Sequence, residues 1–296
     1  MKDNSLNIDI ICLDRTSADH RKEFNKYISI VFPGISFEEW FAKGFWTENY
    51  HPFSICESGK IISNVSVALM NVLINGKRIR AIQLGAVGTL PEYRNRGLSR
   101  KIINYVLEIY NDDVDFIFLF ANESVMNFYP KFGFKRIKES VFVADAKFNN
   151  LKYSARKLNI DSVDDYHLLQ DLLSARSSLT NIFGAEEYGF ISMWHILNMY
   201  RKNLYFLENE NTIVIKFEID HKLHILDVIF SDSIDIEAVI PKIIEGESIE
   251  SVKYYFPPDV LHFSYNSITQ EDNGLFVHGE SNLGSQPFKF PETAVT

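Results

Sequence analysis

Residues 91–101, PEYRNRGLSRK, crowd Arg94, Arg96, Arg100 and Lys101 around Gly97 in a chain whose formal charge is −9. Their chemistry is anion binding. A helix start exposes unpaired backbone N–H groups and carries roughly half a positive charge, so it suits phosphate. Gly97 has no side chain to block close approach, Ser99 is small and adds a hydroxyl donor, and Arg94, Arg96 and Arg100 add charge. The ligand this collar fits is a polyanion, a pyrophosphate above all. Taken alone, the same run also fits a solvated helix start. It is neither a G-x-G-x-x-G fingerprint nor a P-loop. Other constellations carry less: His221 and His224, three apart on a strand, point to opposite faces, and neither a G-x-S-x-G nor a spaced Cys/His set occurs.

The elements that must hold the collar are legible around it. Residues 7–14 read as a strand and Asp19–Ile30 as a helix. Residues 37–50 hold Phe37, Trp40, Phe41, Phe45 and Trp46 and read as one or two short helices. Ser58-Gly59 and Asn75-Gly76 punctuate β-rich runs as hairpin turns, which predicts an antiparallel meander ending in a strand over 82–90. From Gly97 to Tyr110 the apolar residues fall at helical spacing. Asp115–Ala121 is an almost wholly apolar run, as in a strand buried on both faces. Strand, helix and strand make one βαβ unit, with the collar at its first junction. Gly88 inside the preceding strand suggests a bulge. Asn122 can cap a short helix that Pro130 closes early.

The chain has 296 residues, 46% hydrophobic and 23% charged, enough for two domains and a large core. The 39 acidic residues against 30 basic ones argue against a nucleic-acid binder, which needs a broad positive surface. Two cysteines without metal spacing, no signal-like N-terminus and no long apolar run fit a soluble cytoplasmic protein without membrane contact.

The stretch VGTLPEYRNRGLSRKII resembles the acyl-CoA-binding motif of the GNAT acetyltransferase superfamily, [RQ]-x-x-G-x-[GA]. Arg94, Gly97 and Ser99 fall on its fixed positions, and Ser99 departs mildly from Gly or Ala. Asn122, Tyr129, Gly133 and Phe134 match the second signature, and the resemblance covers about residues 7–148. It implies an α/β fold with a mixed sheet, the GNAT fold, in residues 1–150. It implies acetyl-CoA as co-substrate, with no metal. The pantetheine arm would lie beside a bulged strand at Val87, Gly88 and Thr89. The pyrophosphate would sit on Arg94, Asn95, Arg96, Gly97, Leu98, Ser99 and Arg100, with Asn122 nearby. Tyr129 would be the general acid. The acceptor pocket would draw on residues 37–50, Trp46, Glu48 and Tyr50 among them. The sequence does not name a base; Glu48, His51, Glu123 and the carboxylate of Thr296 are available.

Residues 151–296 loosely repeat the order of the first half: a strand at 155–160, a helix at 162–176, strands at 204–218 and 223–230, a helix at 233–244 and a strand at 251–256. LFVHGE reads as a closing strand and the end as a tail. Where the collar should recur stands SDSIDIEAVI, with Asp232, Asp235 and Glu237 in place of Gly and Arg, which repels phosphate. The expectation is a degenerate copy or another α+β domain that walls the acceptor site or mediates homodimerisation. Two functions follow: an N-acetyltransferase acting on a primary amine of a small molecule, peptide or protein, or a non-catalytic acyl-CoA-binding sensor or assembly protein. The net charge hints at a cationic acceptor such as a polyamine, an aminoglycoside or a lysine side chain.

Overall fold

The computed structural model describes residues 9–146, 153–246, 249–259, 265–270, 274–279 and 283–296. The first half runs β1 (Ile10–Cys12), α1 (Ala18–Val31), α2 (Glu38–Ala42), β2 (Tyr50–Glu57), β3 (Lys60–Ile74), β4 (Lys77–Thr89), α3 (Leu98–Tyr110), β5 (Phe116–Phe120), β6 (Phe134–Arg136) and β7 (Ser140–Asp145). The second half runs β8 (Arg156–Lys157), α4 (Val163–Ala175), β9 (Phe183–Glu186), α5 (Gly189–His195), β10 (Leu204–Leu207), β11 (Thr212–Ile219), β12 (Lys222–Ile229), α6 (Ile236–Ile243), β13 (Ser251–Tyr254), β14 (Asn266–Thr269) and β15 (Leu275–His278).

Both hairpins of the meander form where the dipeptides put them. Ser58-Gly59 and Asn75-Gly76 take positive φ at both residues, the turn whose twist matches that of the strands it joins. The run 204–218 is two strands, because residues 208–211 turn the chain with Asn211 at φ +45°. After β5 the backbone makes only short 3-10 turns, Glu123–Val125 and Tyr129–Phe132. Pro130 lacks an N–H and cannot sustain a longer helix.

Two mixed sheets result. The first is ordered β1-β2-β3-β4-β5-β15-β6, with β9 pairing with the part of β3 that extends past β2. The second is ordered β14-β7-β13-β12-β11-β10-β8. Within each, an antiparallel meander, a helix and a parallel strand recur: β4 pairs in parallel with β5, and β12 with β13. The division expected at 150 lies outside the described residues. On either side of it the halves interlock, for β9 and β15 complete the first sheet and β7 joins the second. The last residues are no tail. Phe288, Phe290 and Ala294 are buried in the first core beside Phe118 and Phe183.

The closing segment is fixed by polar contacts that reach back through the molecule. The Arg176 guanidinium and the Asp227 carboxylate form a wholly buried ion pair, N···O 2.7 Å, and Asp227 also accepts from the Thr293 hydroxyl. Gln83, itself buried in β4, donates to Ala294 O at 2.9 Å and accepts from Thr296 N at 2.6 Å. His195 Nε2 bonds Val295 O at 2.6 Å. A carbonyl only accepts, so Nε2 carries the proton.

Candidate active site

β4 and β5 part company halfway along. Their parallel pairing runs from Ala81↔Phe116 to Leu84↔Leu119, and β4 continues to Thr89 with β3 alone. The cause lies in β4 itself. Asn64 pairs with Gly88 and Ser66 with Gly85, so Ala86 and Val87 together oppose Val65. Ala86 takes φ +47°. This extra residue bends the strand away from its neighbour. The bulge therefore sits at Ala86-Val87, two residues before the expected centre at Gly88. Gly88 is needed for a different reason: a Cβ there would lie 2.5 Å from Val31 Cγ1 and 2.8 Å from the Tyr27 hydroxyl. Glycine lets α1 lie down on the strand.

Leu90 N donates to Ile62 O. Strand alternation therefore turns the main-chain groups of Thr89 and Val87 to the opposite edge, which faces the gap. Arg94 Nε reaches Thr89 O there at 3.3 Å.

At the end of the gap α3 begins. Gly97 is its N-cap at φ +75°, with no side-chain bond to the first-turn amides and nothing within 4 Å of where a Cβ would stand. Asn95 also takes a positive φ, +63°. Arg94, Asn95, Arg96 and Arg100 are exposed around this start. Arg96 lies over the Tyr93 ring and bonds Glu92 O. Ser99 does not point at the seat, as its sequence position suggested. Its hydroxyl bonds Thr89 Oγ1 at 2.7 Å and Ser63 Oγ at 3.3 Å. It pins the first turn of α3 to the meander and leaves the amides as the donors.

Gap, helix start and an apolar chamber form one continuous cavity of about 980 Å3. Val87, Gly88, Thr89, Arg94, Asn95, Arg96, Gly97, Leu98, Ser99, Arg100, Asn122 and Tyr129 all line it. Tyr129 is buried to 4% exposure against Phe128, Phe134 and Phe276. Burial pushes its phenol up to about 12. No partner for its hydroxyl occurs among the described residues.

The chamber is walled by Val31, Phe32, Phe37, Trp40 and Tyr50 from the first half. Of the three pocket residues expected there, Tyr50 lines it and the other two do not. Trp46 is packed between Phe24 and Phe41 with its indole N–H on Tyr50 O. Glu48 is exposed outside the cavity. His51 bonds Tyr110 and the Glu48 carbonyl, and Glu123 is exposed. Neither lines the cavity, so of the four groups considered as base only Thr296 belongs to it.

The opposite wall comes from residues no motif marked: Phe190, Ile191, Trp194 and His195 of α5, with Val295 and Thr296. Trp40 Nε1 donates to Phe190 O at 2.7 Å, and Trp194 packs on Phe37 at 5.7 Å. Their sequence, GFISMWH, reads as ordinary core, and only the chain path brings it to the site. At the equivalent junction of the second sheet, Asp235 occupies the start of α6 by accepting from Ala238 N at 3.1 Å. His221 lies in a turn, and His224 stacks on Phe217. Among the described residues no cluster could hold a metal, and no helix is long and apolar enough to cross a membrane.

Three solved structures share this fold along most of the chain. A probable N-acyltransferase of unknown function from Enterococcus faecalis V583 superposes with a TM-score of 0.62 at 13% identity, over 91% of this chain and 71% of its own. Eis1 from Mycobacterium abscessus gives 0.58 at 14% identity, over 90% and 72%. A GCN5-related N-acetyltransferase from Kribbella flavida gives 0.57 at 15%, over 93% and 72%. At these identities the likeness is one of fold. The model of the acetyltransferase (GNAT) domain matches residues 16–137, which contain the bulged strand, the parted β5, the collar and Tyr129. The chain therefore carries in residues 16–137 an acetyltransferase domain of the GNAT superfamily.

Proposed function

We propose that the protein transfers an acetyl group from acetyl-CoA to a primary amine by direct attack. What carries the reading is one junction: a strand edge freed by a bulge runs into a helix start with bare amides, and a buried phenol opens on the same cavity. The diphosphate of the co-substrate would sit on the amides of residues 95–99, with Arg94 and Arg100 beside it. Its amide-bearing arm would bond the main chain of Val87 and Thr89 in the gap. That leaves the thioester between the strands near Tyr129.

The amine nitrogen then attacks the thioester carbon. A C–N bond forms, the C–S bond breaks, and the electron pair leaves on sulfur. The sulfur takes the Tyr129 proton, and the proton shed by the nitrogen returns to the phenolate through water. A buried phenol near 12 against a thiol at its solution value near 8.5 makes the proton transfer uphill by about 5 kcal/mol. The same burial destabilises a thiolate formed beside it, which narrows that gap.

The test has two arms. Calorimetry with coenzyme A reads the donor site, and thiol release from acetyl-CoA over a panel of amines reads transfer. Binding with turnover, lost in Tyr129→Phe, supports an enzyme. Binding without turnover on any acceptor returns the non-catalytic acyl-CoA binder. No binding removes both.

A further inference from the structure

We infer that the acceptor is an aromatic monoamine, a molecule with one ammonium group and a flat apolar body, and not a polyamine or aminoglycoside. The inference rests on the acetyl-transfer reading above and goes beyond it to the substrate class. Among the described residues every charged side chain lining the cavity is cationic: Arg94, Arg96, Arg100 and Lys131. Among those residues no Asp or Glu side chain lines it. The net charge therefore gives no local ground for a polycationic acceptor, because none of the described acidic side chains lines the cavity.

The end of the cavity away from the arginines is apolar and aromatic, with Phe32, Phe37, Trp40 and Tyr50 facing Phe190 and Trp194. Ring faces hold a single ammonium group and stack on a flat body. They cannot neutralise two or three charges, and a buried unpaired ammonium is strongly penalised. A polycation would also meet the arginines. The histidine of this wall, His195, is held neutral: burial pushes its imidazole below the usual range, and its proton is committed to Val295 O.

The same wall helps the chemistry. Only the free amine attacks a thioester, and an ammonium moved into an apolar chamber loses its proton more readily. A pocket without side-chain carboxylates among the described residues thus favours the reactive form of a monoamine.

The experiment compares 2-phenylethylamine with 1,4-diaminobutane and spermidine on the full chain saturated with coenzyme A. Quenching of tryptophan fluorescence and thermal shift read binding; thiol release from acetyl-CoA reads turnover. The monoamine is expected to bind and react on the order of a hundredfold better than either polyamine, the penalty of a second unpaired ammonium. Ile35→Asp places a carboxylate at the partly exposed rim and is expected to narrow the ratio by about tenfold. Spermidine or diaminobutane bound as well as 2-phenylethylamine overturns the inference, and so does failure of all three to bind. Retained coenzyme A binding in those cases leaves the donor reading intact; loss of coenzyme A binding overturns the donor reading instead.

Discussion

Replacing Gly97 by Asp separates the anion seat from the rest of the fold. The position sits at φ +75° and a Cβ meets nothing within 4 Å. The steric cost is thus limited to the left-handed backbone, about 1 kcal/mol and less for Asn or Asp than for most residues. An Asp at a helix start recovers a similar amount as an N-cap. The folded state should hardly change. Binding should change greatly. A carboxylate about 6 Å from one phosphate charge, at an effective dielectric of about 20, contributes about 2.8 kcal/mol of repulsion. That is about a hundredfold in Kd. The Asp also occupies first-turn amides, as Asp235 already does at the start of α6. Gly97→Asn has nearly the same shape without the charge and should lose no more than about tenfold, on the same per-decade conversion. Calorimetry with coenzyme A at low and moderate salt reads both variants, and the gap between them should shrink as salt rises. Equal affinities for Asp and Asn, or wild-type affinity in both, would refute an anion seat made of main-chain amides.

Tyr129→Phe should lower kcat by about 10²- to 10⁴-fold, the range for a lost general acid, with coenzyme A affinity unchanged in calorimetry. Because burial holds the phenol near 12, pH–rate profiles should show no loss from its ionisation up to about pH 10, where a free tyrosine would begin to titrate. Gly88→Ala should cost about 1–3 kcal/mol from overpacking against Val31 and Tyr27, seen as a lower midpoint in urea unfolding. Arg176→Met leaves the Asp227 carboxylate buried without its ion pair and should cost about 3–5 kcal/mol, whereas exposed pairs such as Lys26–Glu23 should be near neutral on removal. For His195, a folded value below that of the unfolded chain gives stability that is full above about pH 6.5 and is lost as the pH falls through the folded value. His195→Phe should reduce the drop in Tm between pH 7.5 and 5.5.

The collar was legible because its parts are local. Glycine, arginines and a helical apolar period all lie within twenty residues, and backbone amides at a helix start need no partner from elsewhere. The hairpins at Ser58-Gly59 and Asn75-Gly76 were legible for the same reason. The role of Ser99 was misread, because its position in a motif does not say where its hydroxyl turns; Thr89 and Ser63 claim it. The bulge was expected at the glycine and lies at Ala86-Val87, because register against β3, not glycine content, decides which residue is extra.

By itself the sequence determined a glycine-opened helix start ringed by arginines, a meander leading into it and a phenol downstream, all properties of neighbouring residues. Tertiary structure alone decided the apolar chamber. Phe190 and Trp194 reach Trp40 and Phe37 from about 150 residues away, and Ala294 and Thr296 reach Gln83 from more than 200. Contacts of that separation depend on which strands pair and which segments interlock. The apolar pattern of GFISMWH is the same whether it meets a core or a cavity, so only the folded path could make it a wall.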